Sequence, residues 1–214
     1  MKVKVKKNIL SANDAEAAEI RLFLKKNNLR MVNVMASPGA GKTSLILALL
    51  SALKDRVGEL AVIEGDVAGS IDTVKIKKAG FKAVQINTGG GCHLSAQMIQ
   101  KALKELNLVK VKSGLIFVEN IGNLICPAEF DLGAEINLVM TSVPEGDDKA
   151  VKYPGIFQVA DIIVINKIDL LPYLNFGIRK FMNSLRTINP KAPVITLSAL
   201  KGKGLDELVE KLAG

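Results

Sequence analysis

Short apolar runs alternate with helical stretches from residue 31 onward, and this alternation limits the fold more than any other feature of the sequence. MVNVMA (31–36), LAVIEG (60–65), KAVQIN (82–87), GLIFVEN (114–120), INLVMTS (136–142), DIIVIN (161–166) and PVITLS (193–198) read as buried strands. Residues 42–54, 71–80, 93–106, 175–189 and 204–212 read as helices, with Gly80 placed as a left-handed stop. Strands that are apolar throughout need cover on both faces, and strand–helix–strand units cross over right-handedly. The sequence therefore predicts an α/β fold: a doubly wound, mostly parallel sheet with helices on both faces and ligands at the carboxyl ends of the strands. An amphipathic helix over 13–27, capped by Ser11 or Asn13, precedes it. Residues 1–30 are thus expected to be a helical extension of a single domain at 31–214. The opening KVKVKK reads as a strand edge or a loose arm.

The first strand runs into Ala36-Ser37-Pro38-Gly39-Ala40-Gly41-Lys42-Thr43. This fits the phosphate-loop pattern GxxxxGK followed by Ser or Thr, with Ala36 where the first glycine usually stands. Backbone N–H groups of residues 39–43 can wrap a β-phosphate at a helix N-terminus, and Gly39 and Gly41 let the main chain approach closely. Lys42 is expected to reach the β- and γ-phosphates, and the Thr43 hydroxyl to bind Mg²⁺. Ser37, Gly39, Ala40, Gly41, Lys42, Thr43 and Ser44 are the candidate nucleotide contacts of this loop.

Asn166-Lys167-Ile168-Asp169 follows a later strand, and Ser198-Ala199-Leu200 follows the last one. The Asp169 carboxylate matches the paired donors of guanine, N1–H and the exocyclic amino group; adenine lacks that pair. A backbone N–H of Ser198–Leu200 is placed to reach the guanine O6. Asn166, Lys167, Asp169, Ser198, Ala199 and Leu200 are therefore candidate base contacts. The order of the three signals resembles the G-domain of P-loop GTPases over residues 31–212, which implies GTP as the nucleotide.

Acids and soft ligands collect at the remaining strand ends. Asp66 follows the second strand, Asp72 lies just beyond it, and Glu119 ends the strand LIFV. Thr43, Asp66 and Glu119 form the candidate Mg²⁺ shell, and Lys42, Asp66 and Asp72 are the catalytic candidates. Capping of helix 71–80 is the plainer alternative for Asp66 or Asp72. No Gln follows Glu119 to orient a water and no arginine finger is evident, so slow hydrolysis is expected. Cys92 and His93 follow Thr88-Gly89-Gly90-Gly91, and Cys126 lies in the loop after Glu119. Thiolate and imidazole suit Zn²⁺ or Ni²⁺, and a two-fold dimer could complete a shell that these ligands leave one short. An inert Cys126 behind Pro127 is the plainer alternative. Lys149 is placed either to cross a GTP-dependent dimer interface or to stand solvated at a capped helix start.

Composition removes other classes. Lys+Arg 29 against Asp+Glu 21 gives +8, but lysine is spread along the chain, and no Trp and two Tyr offer few stacking platforms. The charge reads as a solvated surface, not a nucleic-acid face. No apolar run approaches the ~18 residues of a membrane helix, and no apolar segment follows the basic start. Two cysteines are too few for a disulfide framework. The expectation is a cytoplasmic protein with free thiols and no membrane partner.

GDV, TGGGCHL, ENIGNLICPAEFDLG, EGDDKAVKYPGIF and NKID together resemble the HypB family, GTPases that help insert nickel during nickel–iron hydrogenase maturation. Cys92, His93 and Cys126 match that family's G-domain metal site. The resemblance implies GTP and Mg²⁺ binding, slow hydrolysis, homodimerisation on GTP binding, and work with a HypA-type nickel-binding partner and the hydrogenase large subunit. Many members carry an N-terminal CxxCGC motif or His-rich stretch; this sequence has neither, so a high-affinity N-terminal nickel site or a storage role is not implied. Urease accessory and cobalamin-enzyme chaperone GTPases share the G-domain and are expected to differ in the Cys/His pattern. A GTP-dependent assembly module without turnover is the reading from another class.

Overall fold

All the strands of the sheet run in one direction. They are β1 (Leu29–Ala36), β2 (Glu59–Asp66), β3 (Lys82–Asn87), β4 (Gly114–Glu119), β5 (Ile136–Ser142), β6 (Ile162–Asn166) and β7 (Val194–Thr196). The sheet order is β3-β2-β4-β1-β5-β6-β7, parallel at every pairing. The helices are α1 (Lys2–Lys26), α2 (Lys42–Leu53), α3 (Ile71–Lys78), α4 (Ala96–Leu106), α5 (Lys149–Lys152), α6 (Pro154–Gln158), α7 (Ile178–Ile188) and α8 (Leu205–Ala213). The computed structural model describes residues 2–213 apart from 68, 70, 109 and 110, with side chains from Asn8 onward.

Period-two alternation within the apolar strands assigns each side chain to a layer. Val32, Val34, Val62, Phe117 and Met140 face a core closed by α2 and α8. Their strand neighbours Met31, Ala61, Ile63, Ile116 and Val118 face a second core, closed by Ile20 and Leu24 of α1 and Ile99 and Leu103 of α4. Phe157 of α6 and Phe181 of α7 close a third over β5 and β6. α2 forms because KTSLILALLSAL places Leu45, Ile46, Leu49, Leu50 and Leu53 on one buried stripe. Among the described residues no helix is long and apolar enough to cross a membrane.

The N-terminus departs from the sequence expectation. KVKVKK is neither a strand edge nor a loose arm, because α1 already begins at Lys2. Alternation specifies a strand only where an edge can pair with it, whereas a helix nucleated downstream extends residue by residue at little cost. Ser11 and Asn13 consequently lie inside α1 and not at its cap. Asn13 is buried and serves α4 instead: its Oδ1 accepts the Ala96 N–H at 2.9 Å, and its Nδ2 donates to Asp131 O at 2.7 Å. Gly80 takes the left-handed φ of 91° expected of a helix stop.

The sheet fixes the position of the site. Glu119 is in register with Val34 on one side and Glu64 on the other, and Ser142 with Asn166. The ends of β1, β2, β4, β5 and β6 therefore share one edge. The chain leaves β1 toward β2 on one side and later returns to β5 on the other, which makes the edge at β1 the topological switch point where α/β sheets bind ligands.

Candidate nucleotide and metal site

Residues 37–41 turn the chain from β1 into α2, with Gly39 and Gly41 at φ of 75° and 102°. A Cβ on Gly41 would stand 2.7 Å from Asn166 Nδ2, so both the backbone conformation and the close approach require glycine. Asn166 makes that approach because its Nδ2 donates to Ala40 O at 3.0 Å. Its Oδ1 accepts from Lys167 N–H at 2.8 Å and from Ala199 N–H at 3.0 Å. Lys167 in turn donates Nζ to Gly39 O at 2.7 Å. Phosphate loop, NKID and SAL are thus one hydrogen-bonded unit. Ser198 is buried, Leu200 is exposed, and Asp169 is half-buried at the start of the turn Ile168–Tyr173. The Asp169 carboxylate accepts no hydrogen bond from the described residues, so its oxygens are available to a base.

Beside the phosphate loop lies a cleft of about 560 Å³ lined by Lys42, Thr43, Glu64, Asp66, Asp72 and Glu119, among others. Thr43 Oγ1 donates to Glu119 Oε1 at 3.0 Å, while Glu119 Oε2 is buried without a hydrogen-bond partner among the described residues. Burial pushes the Glu119 carboxyl up to about 7 against the pull of Lys42 and Thr43, and burial also lowers Lys42 despite Glu119 beside it. Asp66 accepts the N–H groups of Val67 at 2.6 Å and Gly69 at 2.9 Å, and Asp72 pairs with Lys75 at 2.7 Å. An acid-rich cleft with an orphaned carboxylate oxygen beside a hydroxyl fits a divalent cation, a hard ion that takes oxygen ligands. Glu64 is absent from the sequence-derived set. It is 4% exposed, accepts from Thr73 Oγ1 at 2.9 Å, and is pushed up by burial. A carboxylate inside the apolar run LAVIEG is the sequence signal that marks it, since a buried charge needs a partner or a role.

Glu119 gives a pH prediction. Its folded pKa of about 7 stands above its ordinary 4.5, so the stability it confers is full below pH 4.5 and is lost as pH rises through 7. Glu119→Gln removes that loss. In denaturant unfolding without nucleotide, the wild type should lose about 3 kcal/mol relative to the variant between pH 4.5 and pH 8. A gap that stays constant with pH contradicts the assignment.

The soft ligands converge on the neighbouring loops. Thr88 N–H donates to Asp66 O at 3.0 Å, which seats the loop 88–95 against the end of β2. Cys92 Sγ lies 2.9 Å from Cys126 Sγ and 3.6 Å from His93 Nδ1, and the three ligand atoms all lie within 4.8 Å of one another. Cys92 is exposed, and Cys126 and His93 are half-buried, so Cys126 is not an inert core thiol. The hydrogen bond to Cys126 holds the Cys92 thiol above its ordinary pKa, and burial lowers His93. Asn123 Nδ2 donates to Cys92 O at 3.1 Å, and Ile125 N–H donates to Asn123 Oδ1 at 3.0 Å. One residue earlier, Gly122 presses on the phosphate loop: a Cβ there would meet Pro38 at 2.9 Å. Lys149 opens α5, 3.7 Å from Glu145 and 5.1 Å over the Tyr153 ring, so it is not a freely solvated lysine.

The family model for the CobW/HypB/UreG nucleotide-binding domain matches residues 30–196. The hydrogenase maturation factor HypB of Rhizobium leguminosarum bv. viciae is 44% identical over 204 residues, 95% of this chain and 67% of that protein. The hydrogenase/urease maturation factor HypB of Helicobacter pylori is 40% identical, over 96% of this chain and 84% of its own length. The chain belongs to the HypB family. Its fold agrees as well: the crystal structure of HypB from Helicobacter pylori in complex with nickel superposes with a TM-score of 0.87 at 39% identity, covering 94% of this chain and 93% of that one. The parallel sheet and the phosphate loop of this family member are therefore those of a nucleotide-binding HypB domain.

Proposed function

We propose that the protein is a GTP-binding metallochaperone that hydrolyses GTP slowly and assists nickel insertion during hydrogenase maturation. In this reading residues 31–214 are the nucleotide-binding body and residues 1–30 a helical extension docked on it. Residues 37–44 hold the phosphates, Lys42 neutralises their charge, and Asn166, Lys167, Asp169 and Ser198–Leu200 read guanine. Thr43, Asp66 and Glu119 would hold Mg²⁺, which stabilises the charge of the transferring phosphoryl group when bound. Asp66 or Asp72 acts at the reacting end of the cleft. Cys92, His93 and Cys126 take Ni²⁺ as cargo, and Zn²⁺ is its chemical competitor. A GTP-dependent homodimer, with Lys149 near the interface, would complete the shell. A HypA-type partner would supply nickel, and the hydrogenase large subunit would receive it, in the cytoplasm.

The observation that carries this reading is the stretch Gly122-Asn123. Gly122 rests on Pro38 of the phosphate loop while Asn123 holds the carbonyl of Cys92, and both sit between Glu119 and Cys126 on one loop. A γ-phosphate that reorders this loop changes the geometry of the soft ligands. The Ni²⁺ affinity should therefore differ by about tenfold or more between the GDP form and a form with a non-hydrolysable GTP analogue, within the usual range of coupling energies. Calorimetric titration of both forms tests it; equal affinities reject the coupling, because a ligand without differential affinity shifts nothing. Multiple-turnover phosphate release separates this reading from an assembly module without turnover.

A further inference from the structure

The Cys92–His93 loop is built on glycine. It follows Gly89 and Gly90, both at positive φ, and within it Thr88 Oγ1 donates to Gly91 O at 2.9 Å. Cys92 and His93 lie in a bend of the chain, and their side chains converge there on one point. One contact from outside the loop lies flat on the imidazole. That contact is Phe130, which follows the turn Cys126–Ala128: its ring lies on the His93 ring with centroids 3.7 Å apart and planes 19° from parallel. Aromatic packing for burial alone prefers offset or edge-on rings 4.5–7 Å apart, and the two phenylalanine pairs of the third core follow that habit at 6.3 and 5.4 Å. The His93–Phe130 pair is flatter and closer. It leaves the imidazole edge, with Nδ1 3.6 Å from the Cys92 sulfur, turned toward the two thiols.

We infer that Phe130 is the positioning residue of the Cys92–His93–Cys126 site, fixing the imidazole plane and thereby raising nickel affinity more than zinc affinity. The inference rests on the reading of those three residues as a nickel site. Phe130 and Cys126 belong to one loop, so the ring stack, like the Asn123 bond to Cys92 O, ties the two cysteine-bearing loops together. Ni²⁺ with nitrogen and sulfur donors takes tetragonal geometry, whereas Zn²⁺ has no d-electron preference and adapts to a displaced ligand. Loss of the stack therefore costs nickel more than zinc.

The test is competition of Ni²⁺ and of Zn²⁺ against a chromophoric chelator, with the thiolate-to-nickel charge-transfer absorption followed in parallel. The variants are Phe130→Leu, Phe130→Met (which fills the space without a ring), Phe130→Tyr (which keeps the ring) and His93→Ala. Leu and Met should lower Ni²⁺ affinity about ten- to hundredfold, the effect of removing a group that orients a metal ligand, lower Zn²⁺ affinity less, and shift the charge-transfer band. Tyr should restore wild-type behaviour. GDP affinity of the Phe130 variants reports that each is folded. Wild-type nickel affinity in the Leu and Met variants, with loss in His93→Ala, overturns this inference alone. Equal losses for nickel and zinc overturn the selectivity it assigns. Unchanged nickel binding in His93→Ala overturns the nickel reading and this inference with it.

Discussion

Asp169→Asn should abolish the discrimination between guanine and adenine nucleotides. The carboxylate stands on the turn Ile168–Tyr173 with no competing hydrogen bond from the described residues, so both oxygens are free for the paired donors of guanine. Each hydrogen bond to a charged group is worth about 1.5–3 kcal/mol, so losing the pair weakens GDP binding by about 10²- to 10⁴-fold. ADP binding, which never used the pair, should hardly change. Xanthosine diphosphate provides the complementary result: it offers a carbonyl where guanine has an amino group, and the Asn amide can donate to it. It should bind the variant better than it binds the wild type. Titration of all three diphosphates decides the matter, and an unchanged GDP-to-ADP ratio removes guanine recognition from Asp169. Because Asn166 and Lys167 hold the phosphate loop through Ala40 O and Gly39 O, the neighbouring fold does not depend on the Asp169 carboxylate.

Cys92→Ala should cost nickel affinity at least about a hundredfold, more than the loss expected when only an orienting group is removed. The same titration has a pH signature. The Cys126 sulfur beside it holds the Cys92 thiol above its ordinary pKa, so at neutral pH the metal must displace a proton. Wild-type nickel affinity should therefore climb with rising pH until the thiol ionises by itself, and the Ala variant should show a shallower climb. A variant with wild-type affinity, or a wild type indifferent to pH, excludes Cys92 from the ligand set. GDP affinity measured alongside monitors folding.

How much of this was legible in the sequence depends on the separation of the interacting groups. The phosphate loop was legible as a contiguous segment whose spacing is fixed by the geometry of a strand, a glycine turn and a helix start. The seven strands were legible because apolar runs bounded by turns have few other uses. Their bounds moved by a residue or two, and the helix expected over 93–106 begins only at Ala96, where Ser95 accepts the Met98 N–H at 3.4 Å. The helix expected over 175–189 starts at Ile178, after the separate turn Ile168–Tyr173. KVKVKK misled because its alternation says nothing about whether an edge strand is nearby. Phe130 went unseen for a different reason: it matters through one partner on another loop, His93.

The sequence by itself determined the α/β layer order, the phosphate loop and the residue types gathered at the strand ends, because these follow from local backbone geometry and from the donors and acceptors that residue types carry. Only the tertiary structure decided that Asn166 binds phosphate loop and base loop into one unit, that the Asn13 side chain caps α4, and that Gly122-Asn123 touches both the phosphate and the thiol loops. Those contacts join residues far apart along the chain, and no one-dimensional pattern encodes a distance that exists only after the sheet has closed its order.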